Sequence, residues 1–129
     1  MYKVESVWGH PTNPFYNPRK ARNGGGYWQY SGGALFLERE RALVLEVSDT
    51  SCGEYGTRRE VRATVGGRTF GLYWGSMDDF WHTNPTCQEL RPLCAAARIN
   101  ISTARDLIRT AFHAANMAAW KTAKKESTR

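Results

Sequence analysis

One stretch, 24–37, constrains the fold of this chain more than any other: Gly24-Gly25-Gly26-Tyr27-Trp28-Gln29-Tyr30-Ser31-Gly32-Gly33-Ala34-Leu35-Phe36-Leu37. Two strand-like runs flank a Gly-Gly pair, and glycine supplies the positive φ that a two-residue hairpin turn demands. A turn at Gly32-Gly33 sets Tyr30 opposite Leu35 and Trp28 opposite Leu37, aromatic and aliphatic pairs of the kind that stabilise a sheet. The stretch is expected to nucleate an antiparallel sheet.

A second Gly-Gly pair, Gly66-Gly67, specifies its surroundings more fully. As a two-residue turn it pairs Val61 with Leu72 and Ala63 with Phe70 on one face, and Glu60 with Tyr73 and Thr64 with Thr69 on the other. The first face is core and the second wet. A slip of one residue would mix them, so the register is expected to be firm.

The rest of the chain reads around these hairpins. Residues 2–8 alternate well enough for a first strand. Residues 9–26 read as a loop, because Pro11, Pro14 and Pro18 remove backbone donors and favour extended geometry before them. Beyond the charged tip Glu38-Arg39-Glu40-Arg41, Leu43-Val44-Leu45 resembles Leu35-Phe36-Leu37 in lacking alternation, which is expected of central strands covered on both faces. Residues 48–57 form a polar turn region. Ser76 with Asp79 offers a cap for one helical turn. Thr86 and Glu89 form a capping box that opens a short helix, which Pro92 either kinks or restarts.

A third box, Thr103 with Asp106, precedes Ala104, Leu107, Ile108, Ala111, Phe112, Ala115, Ala118 and Ala119 at three- and four-residue spacing. These residues predict an amphipathic helix of about 20 residues, roughly 30 Å long. Its alanines permit close approach to a sheet, and Lys121, Lys124 and Lys125 sit where the helix dipole favours cations. The expected fold is α+β. An antiparallel meander of about five strands carries the C-terminal helix on one face and the Pro-containing helical turns near an edge or on the other face. The chain is read as a single domain, 1–129, with a basic tail at 121–129.

Length supports one domain, since 129 residues suffice to bury a core without a staple. The chain has no run of 18 apolar residues, and its first residues have neither a charged nor an apolar leader region, so a soluble protein of a host cell's cytoplasm is expected. Three cysteines, Cys52, Cys87 and Cys94, make an odd set without framework spacing and read as free, mostly buried thiols. The net charge of +6 favours acidic partners, nucleic acid or an acidic protein surface.

Catalytic patterns are weak. His82, Cys87, Cys94 and Cys52 contain the donor types of a Cys3His zinc site, but their spacings match no standard knuckle. His10-Pro11-Thr12 and His82-Thr83 suggest a two-histidine phosphoesterase, yet the second hydroxyl falls one residue early. Asp78 and Asp79 are adjacent and would diverge, which suits capping or solvation. Gly24-Gly25-Gly26 feeds a strand and not the helix N-terminus that a phosphate loop needs. His113, at the margin of the last helix, reads as a surface residue. No cofactor and no enzyme activity are expected. Binding candidates are Phe15, Tyr16, Arg19, Lys20 and Arg22, aromatics interleaved with cations that suit base stacking and phosphate neutralisation. Arg58, Arg59, Arg62 and Arg68 near the second hairpin, with Lys121, Lys124 and Lys125, complete the set.

Gly25-Gly26-Tyr27-Trp28-Gln29-Tyr30, followed by Gly33-Ala34-Leu35-Phe36-Leu37, resembles the Gly-Gly-Tyr-Trp and Gly-Gly-Phe segment of the ArdB/KlcA antirestriction proteins. Those are small proteins of plasmids and mobile elements that blunt type I restriction in the host. The resemblance spans some 15 residues. The chain is basic where that family is acidic, and its arginine-rich 58–74 hairpin has no counterpart there. The resemblance implies a non-enzymatic phage or mobile-element protein that inhibits a host nucleic-acid defence complex, of antirestriction or anti-CRISPR type, by binding. The alternatives are a sequence-nonspecific nucleic-acid-binding protein and, behind it, a small phosphoesterase or nucleotide sequesterer built on His10 and His82.

Overall fold

The computed structural model describes residues 1–11, 29–51, 57–76 and 85–127. Five strands, β1 (Lys3–Pro11), β2 (Gln29–Glu38), β3 (Arg41–Ser51), β4 (Thr57–Val65) and β5 (Arg68–Ser76), lie side by side in chain order, every pair antiparallel. Two helices follow, α1 (Cys87–Ala97) and α2 (Ile101–Ser127). This is the α+β meander that the pattern of residues predicts.

Both helices lie on the same face. Leu90, Leu93 and Ala97 of α1 and Ala104, Ile108, Ala111, Phe112, Ala115 and Ala119 of α2 share one core with the inward residues of the sheet, from Tyr30, Ala34 and Phe36 through Leu43, Leu45 and Val47 to Val61, Ala63 and Leu72. α2 runs over β1, β2 and β3, and α1 over β4 and β5. The opposite face is open at Ser31, Glu46, Glu60, Arg62, Thr69 and Gly71. The expected second cover is therefore not what makes Leu35 and Val44 apolar. They are register partners on the open face, half-buried, and cover one another.

The Gly66-Gly67 hairpin has the register its sequence specifies. Val61 faces Leu72, Ala63 faces Phe70, Glu60 faces Tyr73 and Thr64 faces Thr69, with the two threonine hydroxyls 3.1 Å apart. Both glycines take positive φ, 59° and 76°.

Gly32-Gly33 is not a turn. β2 runs straight through the pair, with Gly32 opposite Gly9 and Val47, and Gly33 opposite Trp8 and Glu46. The pairings of Tyr30 with Leu35 and Trp28 with Leu37 are thus overturned; Trp28 itself lies outside the described residues. Successive strand residues point to opposite faces, and each glycine answers a different neighbour. A Cβ on Gly32 would lie 2.7 Å from the Ala115 Cβ, and one on Gly9 would lie 2.5 Å from the Ala119 nitrogen, so this glycine pair lets α2 approach the sheet. A Cβ on Gly33 would lie 2.6 Å from Cζ2 of Trp8, whose ring covers that glycine on the open side.

The turn that follows β2 is Arg39-Glu40, closed by Glu38 opposite Arg41. Arg39 takes φ 57°, a left-handed conformation that costs a non-glycine residue about 1–2 kcal/mol. β1 also extends beyond expectation, through Gly9 and His10 to Pro11. A strand at the edge of the sheet tolerates a proline because its outward N–H has no ladder partner. Likewise 48–51 belongs to β3 and not to a turn, while 52–56 and the Ser76-to-Asp79 cap fall on or run into residues outside the described set.

α1 starts as predicted. Thr86 Oγ1 accepts from the Glu89 N–H at 3.2 Å, and the Thr86 N–H donates to Glu89 Oε1 at 2.9 Å. Pro92 stays inside it. Arg98 ends it in the left-handed region, φ 59° and ψ 49°, while the Ile99 N–H closes on the Cys94 carbonyl at 3.1 Å.

α2 begins earlier than the Thr103 box implies. Asn100 is the cap, its Oδ1 accepting from the Thr103 N–H at 2.7 Å, and Asp106 instead pairs with Arg109 at 3.3 Å. The helix has 27 residues, about 40 Å, and the stretch read as a basic tail forms its last turns as far as Ser127. Alanine and lysine are strong helix formers, which favours helix through these turns. The Tyr2 hydroxyl donates to the Ala97 carbonyl at 3.1 Å, tying the start of the sheet to the end of α1.

Three outcomes follow from this backbone. Gly32→Ala lowers the unfolding free energy by about 1–3 kcal/mol in denaturant titrations, because helix and sheet must separate. Gly71→Ala, at a position with nothing within 4 Å, changes it by no more than about 0.5 kcal/mol. Arg98→Gly relieves a left-handed arginine and raises stability by about 0.5–1 kcal/mol, read as a higher midpoint in the same titration.

Candidate binding surfaces

Two concave surfaces stand out, and the meander fixes both. Because the β2–β3 and β4–β5 turns lie at the same end of the sheet, they bound a cleft of about 950 Å³. Arg39, Glu40 and Arg41 line one wall, Gly66-Gly67 the other, and Arg98 enters from the end of α1; Ala42, Val44 and Val65 supply apolar lining. Arg39 and Arg98 are exposed and Arg41 is half-buried. Glu38, also at this end, accepts an ion pair from the Met1 ammonium at 2.7 Å. That hydrogen bond, against the opposing effect of burial and joined by the charges of Met1, Arg41 and Arg39, holds its carboxyl below the ordinary carboxylate range.

The second surface is a depression of about 470 Å³ on the open face of the sheet. Trp8, Glu46, Arg62 and Gly71 of its lining belong to one cross-strand row, in which Gly33 stands between Trp8 and Glu46. Glu46 and Arg62 oppose one another, so the charges of the row alternate in sign. Trp8 is 39% exposed, an aromatic platform held over Gly33. Val4 and Val7, on the same edge strand, are 49% and 44% exposed and stand opposite the core residues Phe36 and Ala34.

The residues singled out in the sequence are scattered across the fold. Phe15, Tyr16, Arg19, Lys20 and Arg22 lie outside the described residues, as does His82. Arg58, Arg59 and Arg62 all stand on β4, where the register sets them opposite Thr50, Asp49 and Glu46 of β3. Arg68 sits 5.1 Å over the Phe70 ring at the turn end of β5. Lys121, Lys124 and Lys125 are exposed on the last turns of α2, with Lys124 Nζ 5.2 Å over the Trp120 ring. His10 is exposed near the end of β1, and His113 is exposed on α2.

Sequence reasoning missed Arg39, Arg41 and Arg98 as a group. Arg39 and Arg41 were visible as a charged tip, but Arg98 is nearly sixty residues away and joins them only because α1 ends over the same edge of the core. Trp8 was also missed. Its signal was the glycine two strands' length later, at a position where a turn offered the simpler explanation.

Cys87 and Cys94 stand seven residues apart on α1 as free thiols, one exposed and one buried; Cys52 lies outside the described residues. Burial, helped by the neighbouring Cys87, pushes the Cys94 thiol above its ordinary range. Arg105 Nη2 donates to Cys87 Sγ at 3.6 Å and to the Pro85 carbonyl at 3.3 Å. Brief iodoacetamide treatment of the native protein at pH 8 therefore alkylates Cys87 and spares Cys94, and denaturant removes the difference; peptide mass mapping reads both. Compared with known proteins, the chain matches no family model, no curated protein and no solved structure.

Proposed function

We propose that this chain is a small non-enzymatic binding protein of a phage or mobile element, and that it inhibits a host nucleic-acid defence complex by docking on it. The observation that carries the binding half is the shape of the described surface. It offers two open, shallow concavities built on rigid strands, with arginine beside apolar or aromatic residues, a composition that suits a macromolecular face. The choice of target is supported by the likeness of 25–37 to the antirestriction segment. The net charge of +6 runs against mimicry of DNA, since a mimic must be acidic to occupy a basic channel.

A second reading, direct nucleic-acid binding, draws on one specific arrangement: Lys121, Lys124 and Lys125 with Trp120 on the last turns of α2. One pair of measurements separates the two. Cells carrying a type I restriction system or a CRISPR effector are challenged with unmodified phage, with and without the chain, while purified protein is titrated against random single- and double-stranded DNA and RNA at two salt concentrations. Inhibition appears as at least tenfold higher plating, reduced by Arg62→Glu, with no nucleic-acid binding. Micromolar binding that weakens steeply with salt, without protection, replaces it with the second reading.

A further inference from the structure

Among the described residues, only two that are not glycine adopt positive φ, and both are arginines lining the same cleft: Arg39 at 57° in the β2–β3 turn and Arg98 at 59° at the end of α1. Each occupies a position where glycine is the favoured residue. The companion turn at this end of the sheet places glycine, Gly66 and Gly67, at its positive-φ positions. The backbone at 39 and 98 is therefore better served by another residue, and what arginine adds is its guanidinium.

Three guanidiniums, Arg39, Arg41 and Arg98, converge on the cleft, and none of them makes a side-chain hydrogen bond or ion pair among the described residues. Two carboxylates, Glu38 and Glu40, oppose them, and Glu38 is engaged by the Met1 ammonium. The cleft is thus electropositive. Its apolar lining, Ala42, Val44 and Val65, contains no aromatic ring, so it has no surface on which a base would stack. Arginine forks above aliphatic side chains match carboxylates alternating with apolar side chains.

We propose that the cleft between the two turns receives an acidic peptide segment of a protein partner, its carboxylates taken by Arg39, Arg41 and Arg98 and its apolar side chains set against Ala42 and Val44. This names the chemistry of the docking site and rests on the reading of the chain as a binding protein.

The test exploits the backbone. Arg39→Gly with Arg98→Gly removes two guanidiniums while easing both turns, so the double variant folds at least as stably as the parent; a thermal melt establishes this. Full-length parent and variant are titrated by fluorescence anisotropy with a labelled eight-residue peptide alternating Glu and Leu, with its Gln-Leu counterpart, and with a dT oligonucleotide. The parent binds the Glu-Leu peptide, at least tenfold more tightly than the Gln-Leu peptide, and the double variant loses at least tenfold. Three results overturn the proposal: equal binding of Glu and Gln peptides or of neither, an unchanged affinity in a folded variant, or an oligonucleotide bound more tightly than the peptide and lost with the same arginines. Phage protection is a separate readout, so a chain that protects cells but ignores the peptide leaves the functional reading standing without this cleft.

Discussion

The close approach of α2 to β1 and β2 governs this structure. Gly9 and Gly32 are cross-strand partners, and the backbone of α2 near Ala115 and Ala119 occupies the space their side chains would take. Glycine on the sheet and alanine on the helix bring the two backbones together without a layer of large side chains between them, so dispersion contacts come from main chain as well as side chain. The larger core residues, Tyr30, Phe36, Leu45 and Phe112, then fill the space on either side, with Tyr30 and Phe112 meeting edge to face at 6.4 Å.

Placing both helices on one side leaves the other side of the meander to function or solvent. Register decides what appears there. Trp8, Glu46 and Arg62 share a row because each strand pairs with its neighbour without a slip at that level, and the bulges at Val4/Ser6 and Arg59/Glu60 lie outside it. The turns, in contrast, are placed by strand length. β2 and β3 meet at Arg39-Glu40, β4 and β5 at Gly66-Gly67, and the end of α1 is drawn to the same region by Tyr2 and by Ile99, which packs on the core.

Much of the fold was legible because local and global signals agree. At Gly66-Gly67 the alternation of Val61, Ala63, Phe70 and Leu72 and the turn chemistry point to one register. At Thr86 the capping residues and the apolar spacing again coincide. Gly32-Gly33 was illegible for a physical reason: glycine accommodates both positive φ and close neighbours, and sequence shows the residue but not which need it meets. The α2 cap was misplaced because Asn100, a better cap than Thr103, lacks the acidic residue three positions on that marks a capping box. Of the binding residues, those on single elements were visible, whereas the Arg39, Arg41 and Arg98 group is a product of tertiary placement.

The partner that covers Gly9 and Gly32 is α2, which begins only at Ile101. During synthesis β1 and β2 emerge, and pair, well before residues 104–119 exist to cover them. Their inward face, carrying Tyr30, Ala34 and Phe36, stays wet until residues 104–119 have followed from the ribosome. Neighbouring strands in a meander pair over short loops, but the helix must return across about a hundred residues to reach the first strand, a long-range closure that comes late. The nascent sheet therefore spends its early life with its core face open. The bulge at Val4/Ser6 and the proline that ends β1 disfavour pairing along that exposed edge in the meantime.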